Sequence, residues 1–343
     1  MTRYIIIGAG AVGASLAAEF QQAGIDYALV GRGRQIKHIQ EHGLEYRRPD
    51  GTKHHRLNAF DISTPPSLHT DDVLFLTVKT QDVEQAAREW VGQPVEGSTT
   101  ETAADLPIVT FQNGLAAEDI ALRYFQHVYA ASILTPALFL EVGKVAVAGN
   151  PQVGVVTVGR YPSGSDEIAA QIAVDLTAAN YISEARDDIR RWKSAKLLHN
   201  VRNAVELFAG NPDQLTHAGD ELSREASSVL KAAGFDPAAP SERKIGLNGW
   251  GPAENSGVER GQQSTWQSFS RGSSSEVDFL NGEIVKLGRF HAIPTPFNSA
   301  IQQAAAKLSR LGSAPRSIDI AEALRTAQAD GPDHERAIKT ARG

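Results

Sequence analysis

Three glycines near the N-terminus, Gly8, Gly10 and Gly13, stand at the G-x-G-x-x-G spacing suited to a pyrophosphate. They follow the apolar run Tyr4-Ile5-Ile6-Ile7 and precede the helix-forming stretch Ala14 to Ala23. Strand, glycines and helix in that order predict a dinucleotide cradle made by Gly8, Ala9, Gly10, Ala11, Val12 and Gly13. Gly8 permits the tight turn, Gly10 has no side chain to block the phosphates, and Gly13 lets the helix pack closely on the strand. The helix N-terminus adds N–H groups and the positive end of its dipole. The plain alternative is an ordinary glycine-rich strand-to-helix turn.

The identity of the dinucleotide is expected about twenty residues further on, where an NAD site places an Asp or Glu on the ribose 2′-OH. The second strand, Tyr27-Ala28-Leu29-Val30, ends instead in Gly31-Arg32-Gly33-Arg34, with Lys37 one turn later. A carboxylate repels a 2′-phosphate, whereas a guanidinium grips it with two parallel bonds. Arg32 therefore points to NADP(H); the alternative is a set of solvated loop cations.

Four further segments carry polar groups at telling places. Lys79 and Gln81 follow the strand Val73–Thr77, and Asn113-Gly114 follows the strand Ile108–Phe111. Both sit at strand carboxyl ends, where cofactor and substrate are bound in such folds. The alternative is a helix start for each, with Asp82 or Asn113 as the cap. Lys196, Asn200 and Asn203 lie at i, i+4 and i+7 and share one helical stripe. Leu197, Leu198, Val201, Val205 and Phe208 form the apolar side. Periodicity alone favours a solvated face for Lys196 and an exposed His199. Ser264 heads a polar stretch, and Glu276 follows Ser274-Ser275, natural caps of a helix whose first turn Glu276 would favour through the dipole.

These groups need two kinds of scaffold. The 343 residues suffice for two domains, and 41% hydrophobic with 22% charged residues is ordinary for a soluble globular chain. A net charge of -6 gives no sign of a nucleic-acid surface. The absence of cysteine excludes disulfides, thiolate catalysis and cysteine-held metals. The histidines show no ligand spacing beside acids, so no metal is expected. No apolar run is long enough to span a membrane, the N-terminal one is too short and too glycine-broken for a signal peptide, and a cytoplasmic location is the expectation. Residues 1–185 alternate strand and helix, which predicts an α/β, doubly wound Rossmann-type parallel sheet. Leu44–Leu57 reads as an inserted hairpin. The valines at 145–147 and 153–158 read as a second antiparallel pair at the sheet edge. Residues 186–343 predict an all-helical domain with helices over Ile189–Phe208, Asp213–Ala233, Val277–Phe290 and Thr295–Leu311. Gly246–Gly261 lies in a long connection of the kind that is often functional. The polar tail after Thr326 is expected to fray. Catalytic groups are expected to face a cleft from both domains.

In type and order these segments resemble the ketopantoate reductase family (2-dehydropantoate 2-reductases) over about residues 3 to 312. The resemblance rests on Gly8 to Gly13, Val78-Lys79, Asn113-Gly114, Trp192 with Lys196-Leu197-Leu198-His199-Asn200, and Ser264. It continues in Ser275-Glu276-Val277-Asp278-Phe279-Leu280-Asn281-Gly282 and Pro294-Thr295-Pro296-Phe297-Asn298. It implies reduction of a 2-oxo acid, with Lys196 donating the proton to the carbonyl oxygen and Glu276 orienting Lys196 or holding a substrate hydroxyl. It implies that Asn113, Asn200, Asn203 and Ser264 bind substrate, and that Lys79, Asn113 and Glu276 touch the cofactor. Such helical domains often pair as homodimers. The chain departs from the family where Trp192 and Lys196 are four apart, which makes Lys193 a rival proton donor. It also departs at Ala204, Gly261 and Ser268, where the family carries Asn, Asn and an acid. The alternatives are a non-catalytic NADP(H) sensor and another hydroxyacid dehydrogenase of the 6-phosphogluconate dehydrogenase-like group, whose G-G-x-G segment is missing here.

Overall fold

The computed structural model describes residues 2–98, 100–254, 256, 265–266, 269 and 276–325. Eight strands form its main sheet: β1 (Arg3–Ile7), β2 (Tyr27–Gly31), β3 (Ala59–Asp61), β4 (Asp72–Leu76), β5 (Pro107–Thr110), β6 (His127–Leu134), β7 (Val155–Arg160) and β8 (Ile182–Ala185). Across the sheet their order is β8-β7-β6-β5-β4-β1-β2-β3. All neighbours run parallel except β6 and β7, which pair antiparallel. Parallel strands are covered on both faces, and the continuous apolar run of β1 is accordingly buried throughout Tyr4–Ile7. The order reverses between β1 and β4, the switch point at which doubly wound sheets bind ligands.

The first covering helices are α1 (Ala11–Ala23), α2 (Gly33–His42), α3 (Val83–Trp90), α4 (Ala116–Ala121) and α5 (Glu167–Ala178). An aromatic chain locks α1 to the sheet: Tyr4 stacks at 5.0 Å on Phe20 and 4.7 Å on Phe75, and Phe75 lies 4.7 Å from Phe111. The hairpin predicted in 44–57 forms between Leu44–Arg48 and Gly51–His55. The valine segments do not pair with one another, contrary to the sequence expectation. Lys144–Val147 joins the hairpin and Ala137–Glu141 in a separate four-stranded sheet, whereas Val155–Arg160 enters the main sheet as β7. Asn150-Pro151 carries the chain from one sheet to the other, so two strands close in sequence serve different sheets.

Among the described residues the chain divides into two units. The first holds residues up to Gln112, Ala116–Lys193 and the stretch from Ala239; the second holds Asn113–Leu115, Ser194–Ala238 and the helices from Val277 on. The return from Ala239 brings Arg243 over the Trp192 ring at 4.6 Å, Glu242 onto Arg191 at 2.6 Å, and Gly251–Pro252 into a two-stranded ribbon with Gly149–Asn150. The described part of the long connection is therefore tied into the first unit.

The second unit is helical. It takes the later part of α6 (Ile189–Asn200), a 3-10 segment Val201–Leu207, α7 (Pro212–Ala232), α8 (Val277–Phe290) and α9 (Pro296–Arg310). Leu197, Val201, Val205, Phe208, Ile284 and Ile301 belong to its core, so the apolar side read from the sequence is the buried one. The helix expected to run to Phe208 changes type at Asn200. There the fully buried Asn281 amide donates to the Val201 carbonyl at 2.9 Å and to Asn298 Oδ1 at 3.0 Å. A side chain inserted into the backbone ladder is a recognised cause of such a break.

Candidate functional site

The glycine turn has the shape that its residue types require. Gly8 has φ +121°, and a Cβ on Gly13 would lie 1.9 Å from the Gly8 carbonyl oxygen and 2.5 Å from Thr77 Oγ1. Only a glycine lets α1 come this close to the end of β1. Gly10 is the opposite case: a Cβ there would meet nothing within 4 Å, so its face is open space. Gly10 is also the N-cap of α1, and no side chain caps that helix, which leaves its first N–H groups for a ligand. Ala9 is buried, and Ala11 and Val12 are half-buried beside it. Open space, N–H groups and dipole suit the pyrophosphate of a dinucleotide.

Arg32 follows β2 directly and is the N-cap residue of α2. Its side chain is 58% exposed, and Nη2 reaches Asp82 Oδ1 at 2.9 Å. Asp82 stands at the N-cap of α3 but makes no cap bond with its side chain. The carboxylate that the sequence offers as a helix cap serves instead as the partner of Arg32. Lys79 is half-buried at the N-cap of the 3-10 turn Thr80–Asp82. Gln112, buried at the end of β5, donates through Nε2 to the carbonyls of Leu76 and Val78 at 2.9 and 2.8 Å, fixing the chain that leads to Lys79.

In the second unit Lys196 and Asn200 lie one turn apart on α6 and share a face. Residues three apart eclipse in a 3-10 helix. The change of helix type after Asn200 therefore keeps Asn203 in line with Asn200, and Ala204 turns into the core. The solvated face favoured by periodicity does not form. Asn200 and Asn203 are buried, Lys196 is half-buried, and burial pushes its ammonium down to about 8; only His199 stays exposed, as expected. Asn113 is half-buried ahead of Gly114, whose φ is +84° and where a Cβ would lie 2.5 Å from the Phe279 carbonyl. Glu276 is 5% exposed and is itself the N-cap residue of α8, yet its side chain makes no cap bond. The helix runs over Val277–Phe290 as the sequence predicts, with Glu276 rather than a serine as its N-cap residue. Ser264, Gly261, Ser268, Ser274, Ser275 and the tail from Thr326 lie outside the described residues.

Lys193 and Trp192, adjacent to this stripe, are occupied elsewhere. Trp192 is buried with Arg186 at 5.3 Å and Arg243 at 4.6 Å from its ring, and its Nε1 donates to Asp188 at 3.2 Å. Lys193 Nζ lies 2.8 Å from Glu118 Oε1 and donates to the Gln112 carbonyl. Sequence reasoning missed the Lys193–Glu118 pair, Gln112 and the Arg32–Asp82 pair. Among the described residues no cluster of three metal-ligating side chains occurs, and no helix is long and apolar enough to cross a membrane.

Residues 4–163 match the family described as Ketopantoate reductase PanE/ApbA, and residues 188–309 match Ketopantoate reductase PanE/ApbA C terminal. The 2-dehydropantoate 2-reductase of Archaeoglobus fulgidus is 29% identical over 309 residues, covering 87% of this chain and 95% of that protein. The structure of a PanE/ApbA family ketopantoate reductase from Ralstonia eutropha JMP134 has TM-score 0.72 at 22% identity, covering 90% of this chain and 99% of that one. A ternary structure of D-mandelate dehydrogenase with NADH and anilino(oxo)acetate has TM-score 0.74 at 18% identity, with the same coverage of 90% and 99%. At these identities the solved structures share the fold. Two matches in order along most of the sequence, on a doubly wound sheet followed by a helical unit, make this chain a member of the ketopantoate reductase family.

Proposed function

We propose that the chain reduces a 2-oxo acid to a 2-hydroxy acid with NADPH, its substrate being 2-dehydropantoate (ketopantoate) or a close analogue. Family membership supports the coarser part, an oxidoreductase acting on CH–OH with a nicotinamide dinucleotide. The observation that carries the proton-donor assignment is Lys196, pushed down to about 8 by burial one turn from Asn200. The bound dinucleotide supplies the hydride. Lys196 Nζ donates its proton to the carbonyl oxygen, and its positive charge stabilises the oxygen while negative charge develops there. A donor near 8 gives up its proton more readily than an ordinary lysine and is still charged at neutral pH. Lys193 is the poorer candidate because its ammonium is held by Glu118 and the Gln112 carbonyl.

The remaining roles follow from position. The backbone of Gly8 to Gly13 holds the pyrophosphate, and Arg32 binds the 2′-phosphate. Asn200, Asn203 and Ser264 bind the substrate carboxylate and hydroxyl. Lys79 and Asn113 position the nicotinamide side, and Glu276 orients Lys196 or a substrate hydroxyl. Ala204, which turns into the core, and the family departures at Gly261 and Ser268 favour a substrate rim unlike that of a standard ketopantoate site. The likeness in fold to a mandelate dehydrogenase keeps other 2-oxo acids in view.

The test is loss of NADPH absorbance with a panel of 2-oxo acids that includes ketopantoate. Turnover of ketopantoate with NADPH and little with NADH is the expected result. Turnover of other 2-oxo acids alone keeps the chemistry and moves the substrate. A Lys196→Ala variant should bind NADPH normally and lose turnover. Tight NADPH binding with no turnover of any 2-oxo acid would favour the sensor.

A further inference from the structure

Lys193 and Glu118 form an ion pair with side chains 2% and 0% exposed and Nζ 2.8 Å from Oε1. The same ammonium donates to the backbone carbonyl of Gln112 at 2.5 Å. Thr110, the last residue of β5, donates through its hydroxyl to Glu118 Oε1 at 2.6 Å, and Oε2 has no partner among the described residues. A buried pair of this kind recovers its desolvation cost only with good geometry, so it is weak evidence for stability by itself. Its place in the chain suggests another use. Lys193 is the last residue of the first unit on α6. Gln112 is the last residue of that unit before Asn113–Leu115, and Glu118 follows two residues after the chain re-enters it at Ala116. One ammonium therefore ties together three points where the backbone leaves or rejoins the first unit. Asn113 is the residue next to Gln112, and Lys196 is less than one helical turn beyond Lys193.

We infer that Lys193 is a positioning residue: through the Gln112 carbonyl and the Glu118 carboxylate it fixes the backbone that carries Asn113 and the helical turn that carries Lys196. The inference rests on the roles proposed above for those two residues. A lysine suits the task because its ammonium has three donors and no acceptor, so it satisfies a carbonyl and a carboxylate together. A methionine fills the same space and bonds neither. Apolar packing can replace the stability of a buried ion pair, but it does not replace a hydrogen bond aimed at one carbonyl.

Lys193→Met alone leaves a buried, unpaired Glu118 and risks unfolding. The informative protein is the full chain with Lys193→Met and Glu118→Gln together, which removes both charges and keeps an acceptor for Thr110. Its melting midpoint should stay within a few degrees of the parent and its NADPH Kd within about twofold. Its kcat on the preferred 2-oxo acid should fall about ten- to a hundredfold with KM changed less than about threefold, because the reacting groups are misplaced while binding persists. Amide hydrogen exchange over residues 112–117 should accelerate. A folded double variant with parental kcat and parental exchange overturns the proposal. If the double variant does not fold, Glu118→Gln alone is read the same way: about threefold loss of kcat with faster exchange at 112–117 supports the pin, and parental values of both overturn it. If the parent chain turns over no 2-oxo acid, the proposed function fails, and exchange at 112–117 decides the pin on its own.

Discussion

Arg32 carries its charge into solvent, 58% exposed, with Asp82 as a partner at 2.9 Å. An exposed pair of this type contributes roughly 0–1 kcal/mol, so a phosphate can displace the carboxylate at little cost. Charge-assisted bonds to a 2′-phosphate contribute about 1.5–3 kcal/mol. Arg32→Ala should therefore lower kcat/KM for NADPH by about ten- to a hundredfold and leave NADH within about threefold. Asp82→Asn, which frees the guanidinium, should tighten NADPH binding by about two- to fivefold at low salt. Titration of each variant with both cofactors decides; parallel losses for NADH and NADPH in Arg32→Ala would remove Arg32 from the phosphate. Lys196 supports a prediction of opposite signs in the two directions. Burial lowers its ammonium to about 8, so below that pH the proton donor is loaded and above it the donor is lost. Reduction of the 2-oxo acid should fall as pH rises through about 8, while oxidation of the hydroxy acid, which needs the neutral amine, should rise through the same range. Measured pH profiles of kcat/KM in both directions test this, and a reduction profile flat to pH 10 would exclude Lys196 as the donor.

At the scale of elements, the second unit depends on a polar lock between helices. Asn281 on α8 holds the Val201 carbonyl and Asn298, and Asn298 Nδ2 donates to Glu225 of α7 at 2.8 Å, all buried. Glu225 also accepts the backbone N–H groups of Phe297 and Asn298 at 2.8 and 2.9 Å, which fixes the start of α9. Asn281 Oδ1 itself has no partner among the described residues, but a buried polar network of this sort still favours one packing, and its partial removal leaves further orphaned groups. Asn281→Ala should cost about 2–4 kcal/mol of stability, read as a lower denaturant midpoint. It should also slow turnover, because the 3-10 segment that carries Asn203 loses its anchor. A cost below about 0.5 kcal/mol would mean that the change of helix type has another cause. This lock shows why the helix was only half legible. The apolar side of α6, Leu197 to Phe208, is written in a local period. Val201, the first residue after the change of type, is held by a residue 80 positions away, and no local period records that contact.

Over the whole molecule the same division holds between what repeats locally and what pairs at a distance. The parallel sheet and the glycine turn were legible because β1, β2 and β4 are nearly continuous apolar runs and because Gly8 and Gly13 answer backbone demands set by their neighbours, whereas the order of the strands was not. Lys193 was not legible. The sequence offered it only as a rival proton donor, and its carbonyl partner lies 81 residues earlier. Asp82 likewise looks like a cap while its partner is 50 residues away. Charge has this non-local character too. The chain as a whole carries -6, so NADPH approaches against net repulsion, and a preference for it over NADH must come from the local exposed cations Arg32, Arg34 and Lys37. Local attraction at an exposed site is screened once the Debye length falls well below about 10 Å, which happens above about 0.1 M salt. In a dilute buffer a hundredfold excess of NADPH over its Kd should stabilise the fold by about 2.7 kcal/mol, a rise in melting midpoint of about 3–8 °C. The same concentration of NADH should give a smaller rise, and the gap between the two should close as salt is raised from about 20 to 500 mM. Thermal melts with each cofactor along that series measure it. A gap that persists at high salt would place discrimination in buried contacts, and equal shifts at low salt would refute the NADPH preference itself.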